Sequence, residues 1–141
     1  MTNQCVARFD HFCGWLNNDV GELNYRWFHL FLITNFIACF YGVFLYCLCL
    51  YSVVVEENLM DAVFMTQSGE KIPATLPIVL QYMVGSYLLP IGQTFFLLAI
   101  GLMLFGFWAY HCYLTLVNTT TNETFKWDDI KKLHNIISSH R

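Results

Sequence analysis

Residues 27 to 55, WFHLFLITNFIACFYGVFLYCLCLYSVVV, form an apolar stretch that indicates the fold class of this chain. It contains no Asp, Glu, Lys or Arg, and neither do residues 72 to 122. A helix that crosses the hydrocarbon core of a bilayer, about 30 Å thick, needs roughly 20 apolar residues. Both stretches are longer than that, so the sequence predicts an integral membrane protein.

The second apolar stretch is too long for one crossing, and two prolines divide it. The twelve residues between Pro77 and Pro90 would rise only about 18 Å as a helix, which is too short to cross. We therefore expect an interfacial or short packed helix at residues 76–90 and the second span at 93–117. The predicted fold class is an all-α membrane protein with two transmembrane helices, residues 28–55 and 93–117, joined by a loop at 56–92 that contains the short apolar helix.

Cationic residues flank the two spans unevenly. Two precede the first span, four follow the second, and one lies in the connecting loop; in that order they are Arg8, Arg26, Lys126, Lys131, Lys132, Arg141 and Lys71. Lys and Arg accumulate on the cytoplasmic side of membrane proteins. We therefore expect both termini in the cytosol and the loop in the lumen.

The net charge and the positions of the cysteines limit the partners and the reactive residues that this chain can have. The net charge of -3 is mild and gives no basis for a nucleic-acid partner. Of the six cysteines, four lie in or at the edge of apolar stretches, where they are expected to pack as small apolar side chains. The two in the polar N-terminal segment, Cys5 and Cys13, are the candidates for chemistry. His29 and His111, at the span edges, are interpreted as wetted interface residues.

The segment Asp10-His11-Phe12-Cys13 combines residue types that serve catalysis or metal binding. A thiol with a pKa near 8.5 becomes a nucleophile at neutral pH when a neighbouring base accepts its proton. His11 can be that base, and Asp10 can orient the imidazole, as in a nucleophile–base–acid triad. A zinc site that uses Cys5 as well would need four ligands, and the spacing matches no common finger. On the residues alone, a catalytic thiol, a metal site and a chance arrangement all remain open.

Residues 5–28, CVARFDHFCGWLNNDVGELNYRWF, resemble the second half of the cysteine-rich domain of the DHHC-type protein S-acyltransferases. The pattern of that family continues as C-[PG]-W-x-x-N-C-x-G-x-x-N-x-x-x-F. It is matched here by Cys13, Gly14, Trp15, Asn18, Gly21, Asn24 and Phe28. A Thr-Thr-x-Glu motif follows the last span in the family, and this chain has Thr120, Thr121, Asn122 and Glu123 after its second span. The resemblance covers residues 5–127.

The resemblance implies a two-step acyl transfer at the membrane surface. Cys13 is the nucleophile, His11 the base and Asp10 its orienter, while Thr120, Thr121 and Glu123 support the active site. The thiol takes a palmitoyl group from acyl-CoA, the co-substrate, as a thioester intermediate, which makes the protein transiently a lipoprotein. It then passes the group to substrate proteins with juxtamembrane cysteines.

The resemblance also implies where such a protein acts and how this chain is built. The expected location is as a multi-pass protein of the endomembrane system, in the ER, Golgi or plasma membrane, in contact with membrane lipid. Residues 1–27 would be a cytosolic partial cysteine-rich segment and residues 118–141 a cytosolic tail. The chain opens inside the family's cysteine-rich domain without its upstream half, so whether Met1 is the true start stays open.

Two positions depart from the family in a way that concerns zinc. Phe12 stands where the family has a zinc-binding histidine, and Asp19 stands where it has a zinc-binding cysteine. Cys5 is a leftover ligand position of the companion site. We therefore predict that the chain binds no zinc and no other cofactor. The alternative hypothesis to an S-acyltransferase is a catalytically inactive membrane adaptor, a pseudoenzyme derived from this family.

Overall fold

The computed structural model describes residues 5–65 and 69–139; residues 1–4, 66–68 and 140–141, which include Met1 and Arg141, lie outside the described chain. In chain order the elements are β1 (His11–Cys13), β2 (Asn18–Val20), α1 (Tyr25–Glu56), β3 (Val63–Met65), β4 (Lys71–Pro73), α2 (Leu76–Ser86), α3 (Leu88–Leu116) and α4 (Thr121–Ser139). Helices α1 and α3 are long and apolar enough to cross a membrane. The prediction of a mainly helical chain with two such helices is confirmed.

The observed helices begin earlier than the sequence suggested. Helix α1 begins at Tyr25 rather than 28, and α3 begins at Leu88 rather than 93. Pro90 lies in the first turn of α3, and Pro77 lies in the first turn of α2. A proline is tolerated there because the N–H it lacks would have no partner within the helix. Pro90 therefore does not mark the boundary we expected from it.

The N-terminal segment contains a hairpin, although its polar composition, with clusters of Asn, Asp and Gly in the first 26 residues, predicts only loop. Strands β1 and β2 pair antiparallel, with His11 opposite Val20 and Cys13 opposite Asn18. The connecting loop ends at Asn17, whose φ of 47° lies in the left-handed region that asparagine tolerates. The prediction of loop alone was wrong because each strand has only three residues, which is too short to show an alternating pattern.

The described chain divides into two compact units, and the first contains residues 5–34 and 104–139. Its buried apolar side chains include Val20, Phe28, Leu32 and Leu114. Glycine is required at position 21, because the end of the hairpin packs closely against the segment that contains Val6 and Ala7. A Cβ at this position would lie 2.6 Å from Cγ1 of Val6 and 2.8 Å from the carbonyl oxygen of Ala7.

The second unit, Asn35–Met103, contains the β3–β4 hairpin, α2 and the adjoining parts of the two long helices. Its core consists of Leu59, Val79 and Met83. The Glu57 carboxylate accepts hydrogen bonds from the hydroxyls of Tyr82 at 3.1 Å and Tyr87 at 2.8 Å. These bonds tie the end of α1 to the segment that contains α2.

Candidate active site

The β1–β2 hairpin separates the two groups of residues that the sequence singled out. Successive side chains of a strand point to opposite faces, so His11 and Cys13 share one face of β1. Phe12 lies on the other face, directly opposite Asp19 in the register. The proposed base and nucleophile are therefore on one side of the hairpin, and the two substituted zinc positions are on the other.

The Asp10 carboxylate is the centre of the polar contacts in this unit. Its Oδ2 lies 2.5 Å from Nδ1 of His11 and 3.1 Å from the Thr121 hydroxyl, and its Oδ1 accepts the Thr121 backbone N–H at 2.6 Å. Burial raises the pKa of Asp10, but the hydrogen bonds from His11 and Thr121 outweigh it and hold the pKa below its usual value. Asp10 is therefore ionised at neutral pH.

The charge of Asp10 decides which nitrogen of His11 carries the proton. An ionised carboxylate can only accept hydrogen bonds, so Nδ1 of His11 must donate to it. In neutral His11 the other nitrogen, Nε2, is then unprotonated and able to accept a proton. Nε2 is buried and has no hydrogen-bond partner among the described residues.

Aromatic rings enclose the His11 imidazole. Phe28 meets it edge to face with ring centroids 5.0 Å apart, Phe107 lies at 6.5 Å, and His111 lies at 5.4 Å. Cys13 is 8% exposed, and the structure does not bring its thiol into a hydrogen bond with Nε2 of His11. Catalytic hydrogen bonds are often long before substrate binds and shorten only in the reactive complex.

The Thr-Thr-Asn-Glu motif forms the start of α4. The Thr120 hydroxyl accepts the Glu123 backbone N–H at 3.1 Å, and the Glu123 carboxylate accepts the Thr120 backbone N–H at 2.9 Å. This reciprocal pair is a capping box. The box provides acceptors for the backbone N–H groups of Thr120 and Glu123, while the N–H of Thr121 donates to Asp10. The partial positive charge of a helix N-terminus also favours the carboxylate there.

The end of α3 turns the chain so that Thr121, at the start of α4, lies beside Asp10. Asn118, with φ of 53°, ends the helix in the left-handed region. The N–H of Asn118 donates to Thr115, and the N–H of Thr119 donates to Leu114, the two bonds of a Schellman motif. The Arg8 guanidinium donates to the carbonyl of Asn118 at 2.6 Å. This contact ties the N-terminal segment to the turn between α3 and α4.

Two residues of the family pattern tie the hairpin to α1. Asn24 accepts the Gly21 N–H at 2.8 Å on its side-chain oxygen and donates its amide to the carbonyl of Asp19 at 2.7 Å. The N–H of Tyr25 donates to the carbonyl of Gly21 at 2.9 Å. Asn24 thus fixes the exit of β2 relative to the first residue of α1.

His111 lies beside the site, and sequence reasoning missed its burial. It is 1% exposed, so its interpretation as a wetted interface residue was wrong. Its Nδ1 lies 2.9 Å from the Tyr25 hydroxyl and 3.9 Å from Oδ2 of Asp10. Helix α3 is apolar on every side, so no polar face in its sequence distinguished His111 as an inward-pointing residue.

Among the described residues, the two positions that correspond to zinc ligands of the family do not fit a structural zinc site. Such a site uses four Cys, His or carboxylate ligands, and Phe12 has no ligand atom. Among the described residues, one group of three potential ligands has its donor atoms within 4.8 Å of one another: Asp10, His11 and His111. Asp10 and His11 are already hydrogen-bonded to each other, and His111 is hydrogen-bonded to Tyr25, so we interpret the group as a hydrogen-bonded cluster rather than a metal site.

The sequence comparisons agree on one family. The family described as DHHC palmitoyltransferase matches residues 1–128. The chain is 36% identical over 134 residues to Palmitoyltransferase SWF1 of Yarrowia lipolytica (92% of this chain, 32% of the relative). It is 31% identical over 125 residues to Probable protein S-acyltransferase 6 of Arabidopsis thaliana (89% and 26%). It is 29% identical over 133 residues to Palmitoyltransferase ZDHHC4 of Mus musculus (91% and 37%).

The relatives and the family model match this chain over different shares of their length. The chain spans about a third of the length of these curated relatives, and no solved structure matches it. The family match, in contrast, extends over residues 1–128 of the 141. The chain therefore belongs to the DHHC palmitoyltransferase family.

Proposed function

We propose that this chain is a protein S-acyltransferase that moves a palmitoyl group from palmitoyl-CoA, through a thioester on Cys13, to cysteines of substrate proteins. One observation carries the proposal: His11 is oriented by ionised Asp10, and its Nε2 is buried without a partner on the face of β1 that holds Cys13. That is the arrangement a base needs to accept a proton from the thiol.

The first step forms the acyl-enzyme. Nε2 of His11 takes the proton from Sγ of Cys13, and the thiolate attacks the acyl carbonyl of palmitoyl-CoA. The new carbon–sulfur bond to Cys13 replaces the one to CoA, and the CoA thiolate leaves with the proton from His11. The negative charge of Asp10 stabilises the imidazolium that exists between these two events.

The second step reverses the roles of the two thiols. His11 takes the proton from a cysteine of the substrate protein, and that thiolate attacks the Cys13 thioester. The bond to Cys13 breaks, and its thiolate regains a proton from His11. No oxidant or reductant is needed, because both steps exchange one thioester for another.

The surroundings of the hairpin support a reaction at a membrane surface. Trp15 and Trp27 are 63% and 59% exposed, as is typical of aromatic residues at the interface between bilayer and water. A palmitoyl chain that stays in the bilayer keeps about 0.8 kcal/mol per methylene group. The substrate cysteines would then be juxtamembrane, on proteins of the endomembrane system in the ER, Golgi or plasma membrane, and both termini of this chain would face the cytosol.

The alternative is a non-catalytic adaptor, and two observations favour it. The thiol of Cys13 is not hydrogen-bonded to Nε2 of His11, and Phe12 and Asp19 stand where the family has zinc ligands. A triad works only when its groups are positioned to within about half an ångström. An inactive relative would keep the fold and bind acceptor proteins without acylating them.

Acylation of the purified, detergent-solubilised chain with labelled palmitoyl-CoA distinguishes the two functions. We expect hydroxylamine-labile label in the wild type and in a Cys47→Ser control, whose cysteine is exposed on α1. We expect none in Cys13→Ser. A wild-type chain with native helical circular dichroism that takes up no label at Cys13 would establish the adaptor instead.

A further inference from the structure

A second histidine is buried beside the Asp10–His11 pair, and the mechanism above does not use it. His111, on α3, is 1% exposed and lies among the rings of Phe28 at 4.9 Å and Phe107 at 4.6 Å between centroids. The titratable groups around it are Asp10, His11, Tyr25, His29 and Tyr110. Packing among apolar rings does not by itself require a polar side chain, so the imidazole nitrogens need an explanation.

The same nitrogen of His111 faces two partners. Nδ1 lies 2.9 Å from the Tyr25 hydroxyl, within hydrogen-bond distance, and 3.9 Å from Oδ2 of Asp10, beyond it. Oδ2 is also the atom to which His11 donates, at 2.5 Å. His111 and His11 are therefore potential competitors for one carboxylate oxygen.

The hydrogen bond of the Tyr25 hydroxyl determines whether Nδ1 of His111 can donate to Oδ2 of Asp10. When it donates to Nδ1 of His111, that nitrogen is an acceptor and cannot donate to Asp10. A buried imidazole nitrogen that lost this partner would have to find another, since a buried polar group without a hydrogen bond is destabilising. Asp10 is the charged acceptor nearest to it, so a small rotation of the ring would bring His111 to Oδ2.

We propose that Tyr25 is a positioning residue that holds His111 away from Asp10, and thereby reserves the Asp10 carboxylate for His11. The inference rests on the proposed function, because it concerns the base that activates Cys13. Without the Tyr25 hydroxyl, His111 donates to Asp10 and weakens the bond to His11. The orientation of His11, and with it the reactivity of the Cys13 thiol, declines.

The test measures thiol reactivity directly, without acyl-CoA. The full chain in detergent is treated with iodoacetamide between pH 5.5 and 9, and alkylation of Cys13 is followed by mass spectrometry. Trypsin cuts after Arg8 and so places Cys5 and Cys13 in separate peptides, which makes exposed Cys5 an internal reference. The variants are Tyr25→Phe, His111→Phe and the two combined, with Tyr51→Phe, exposed on the same helix, as the matched control.

We expect Tyr25→Phe to slow Cys13 alkylation at neutral pH by about ten-fold. We expect His111→Phe and Tyr51→Phe to react like the wild type. The double variant should recover most of the lost rate, because the competitor for Asp10 is gone. A merely structural role of Tyr25 would leave the double variant at least as slow as Tyr25→Phe.

Two results would overturn the inference: an unchanged rate in Tyr25→Phe, or no recovery in the double variant. If the phenylalanine at 111 proves too large, the smaller His111→Leu variant removes the same nitrogens and must give the same recovery. Failure of the proposed function is distinct, since it would appear as absence of palmitoyl transfer by the wild type with the alkylation pattern intact.

Discussion

Thr121 donates both its backbone N–H and its hydroxyl to the carboxylate of Asp10, which lies 111 residues earlier in the chain. The contact joins the β1–β2 hairpin to the first turn of α4. It gives the Thr-Thr-Asn-Glu motif a definite physical task, which is to hold the residue that orients His11. The orientation of the proposed base thus depends on a helix that follows both candidate membrane spans.

Replacing Thr121 by valine should remove the hydroxyl bond to Asp10 and leave the N–H bond in place. Hydrogen bonds to charged groups contribute about 1.5–3 kcal/mol, so we expect labelling of Cys13 by palmitoyl-CoA to slow by about ten-fold. Thr124→Val is the matched control, because that hydroxyl donates to the carbonyl of Thr120, just before α4, and not to Asp10. Equal rates in the two variants would contradict the role given to Thr121.

Replacing Thr120 by alanine should open the capping box and loosen the first turn of α4. Loss of a threonine N-cap costs about 1 kcal/mol, so the backbone N–H groups of that turn should exchange with deuterium about five-fold faster. Glu123→Gln keeps a side chain that can complete the box and should exchange nearly as slowly as the wild type. Ser138→Ala, near the exposed end of α4, should leave the exchange at the first turn unchanged.

The lowered pKa of Asp10 predicts how stability depends on pH. Because the folded value lies below the ordinary 3.8, the charged carboxylate adds to the free energy of unfolding at all pH values above about 4. That contribution is lost as the pH falls below 4 toward the folded pKa. The difference in thermal midpoint between wild type and Asp10→Asn should therefore shrink as the pH falls below 4. Asp129→Asn, on exposed α4, controls for net charge, and a difference that does not shrink as the pH is lowered from 4 would contradict the assignment.

Gly21→Ala should destabilise the hairpin, since its Cβ would lie 2.8 Å from the backbone oxygen of Ala7. A backbone atom cannot move aside as a flexible side chain can, and overpacking of this kind costs about 1–3 kcal/mol. Gly14→Ala is the matched control, because nothing lies within 4 Å of a Cβ there. We expect a lower thermal midpoint for Gly21→Ala alone; similar midpoints would show that the segment of Val6 and Ala7 shifts freely.

Metal removal should have no effect on the hairpin. Phe12 and Asp19 lie opposite each other where the family has zinc ligands; Phe12 has no ligand atom, and Asp19 alone cannot hold zinc. We expect less than stoichiometric zinc in the purified chain by elemental analysis, and unchanged circular dichroism and Cys13 alkylation after chelator treatment. Loss of structure on chelation, reversed by added zinc, would overturn the prediction.

The sequence by itself determined the class of fold. Two uncharged apolar stretches leave few alternatives to membrane-length helices, because burying so much apolar surface in any other way would need a larger protein core. It also identified Asp10, His11 and Cys13 as candidates through their residue types, and Thr121 through the resemblance to a known family. Helix starts were less predictable, since a proline such as Pro90 marks a first turn as readily as a boundary.

Which of these candidate residues are in contact depends on the tertiary structure and could not be predicted from the sequence. That Thr121 reaches Asp10 depends on the left-handed turn at Asn118, and a bond between residues so far apart leaves no local pattern. The alternation of three strand residues placed Phe12 away from His11 and Cys13. The burial of His111 beside Tyr25 was likewise invisible in the sequence, because a helix that is apolar all round does not indicate which of its residues face a polar site.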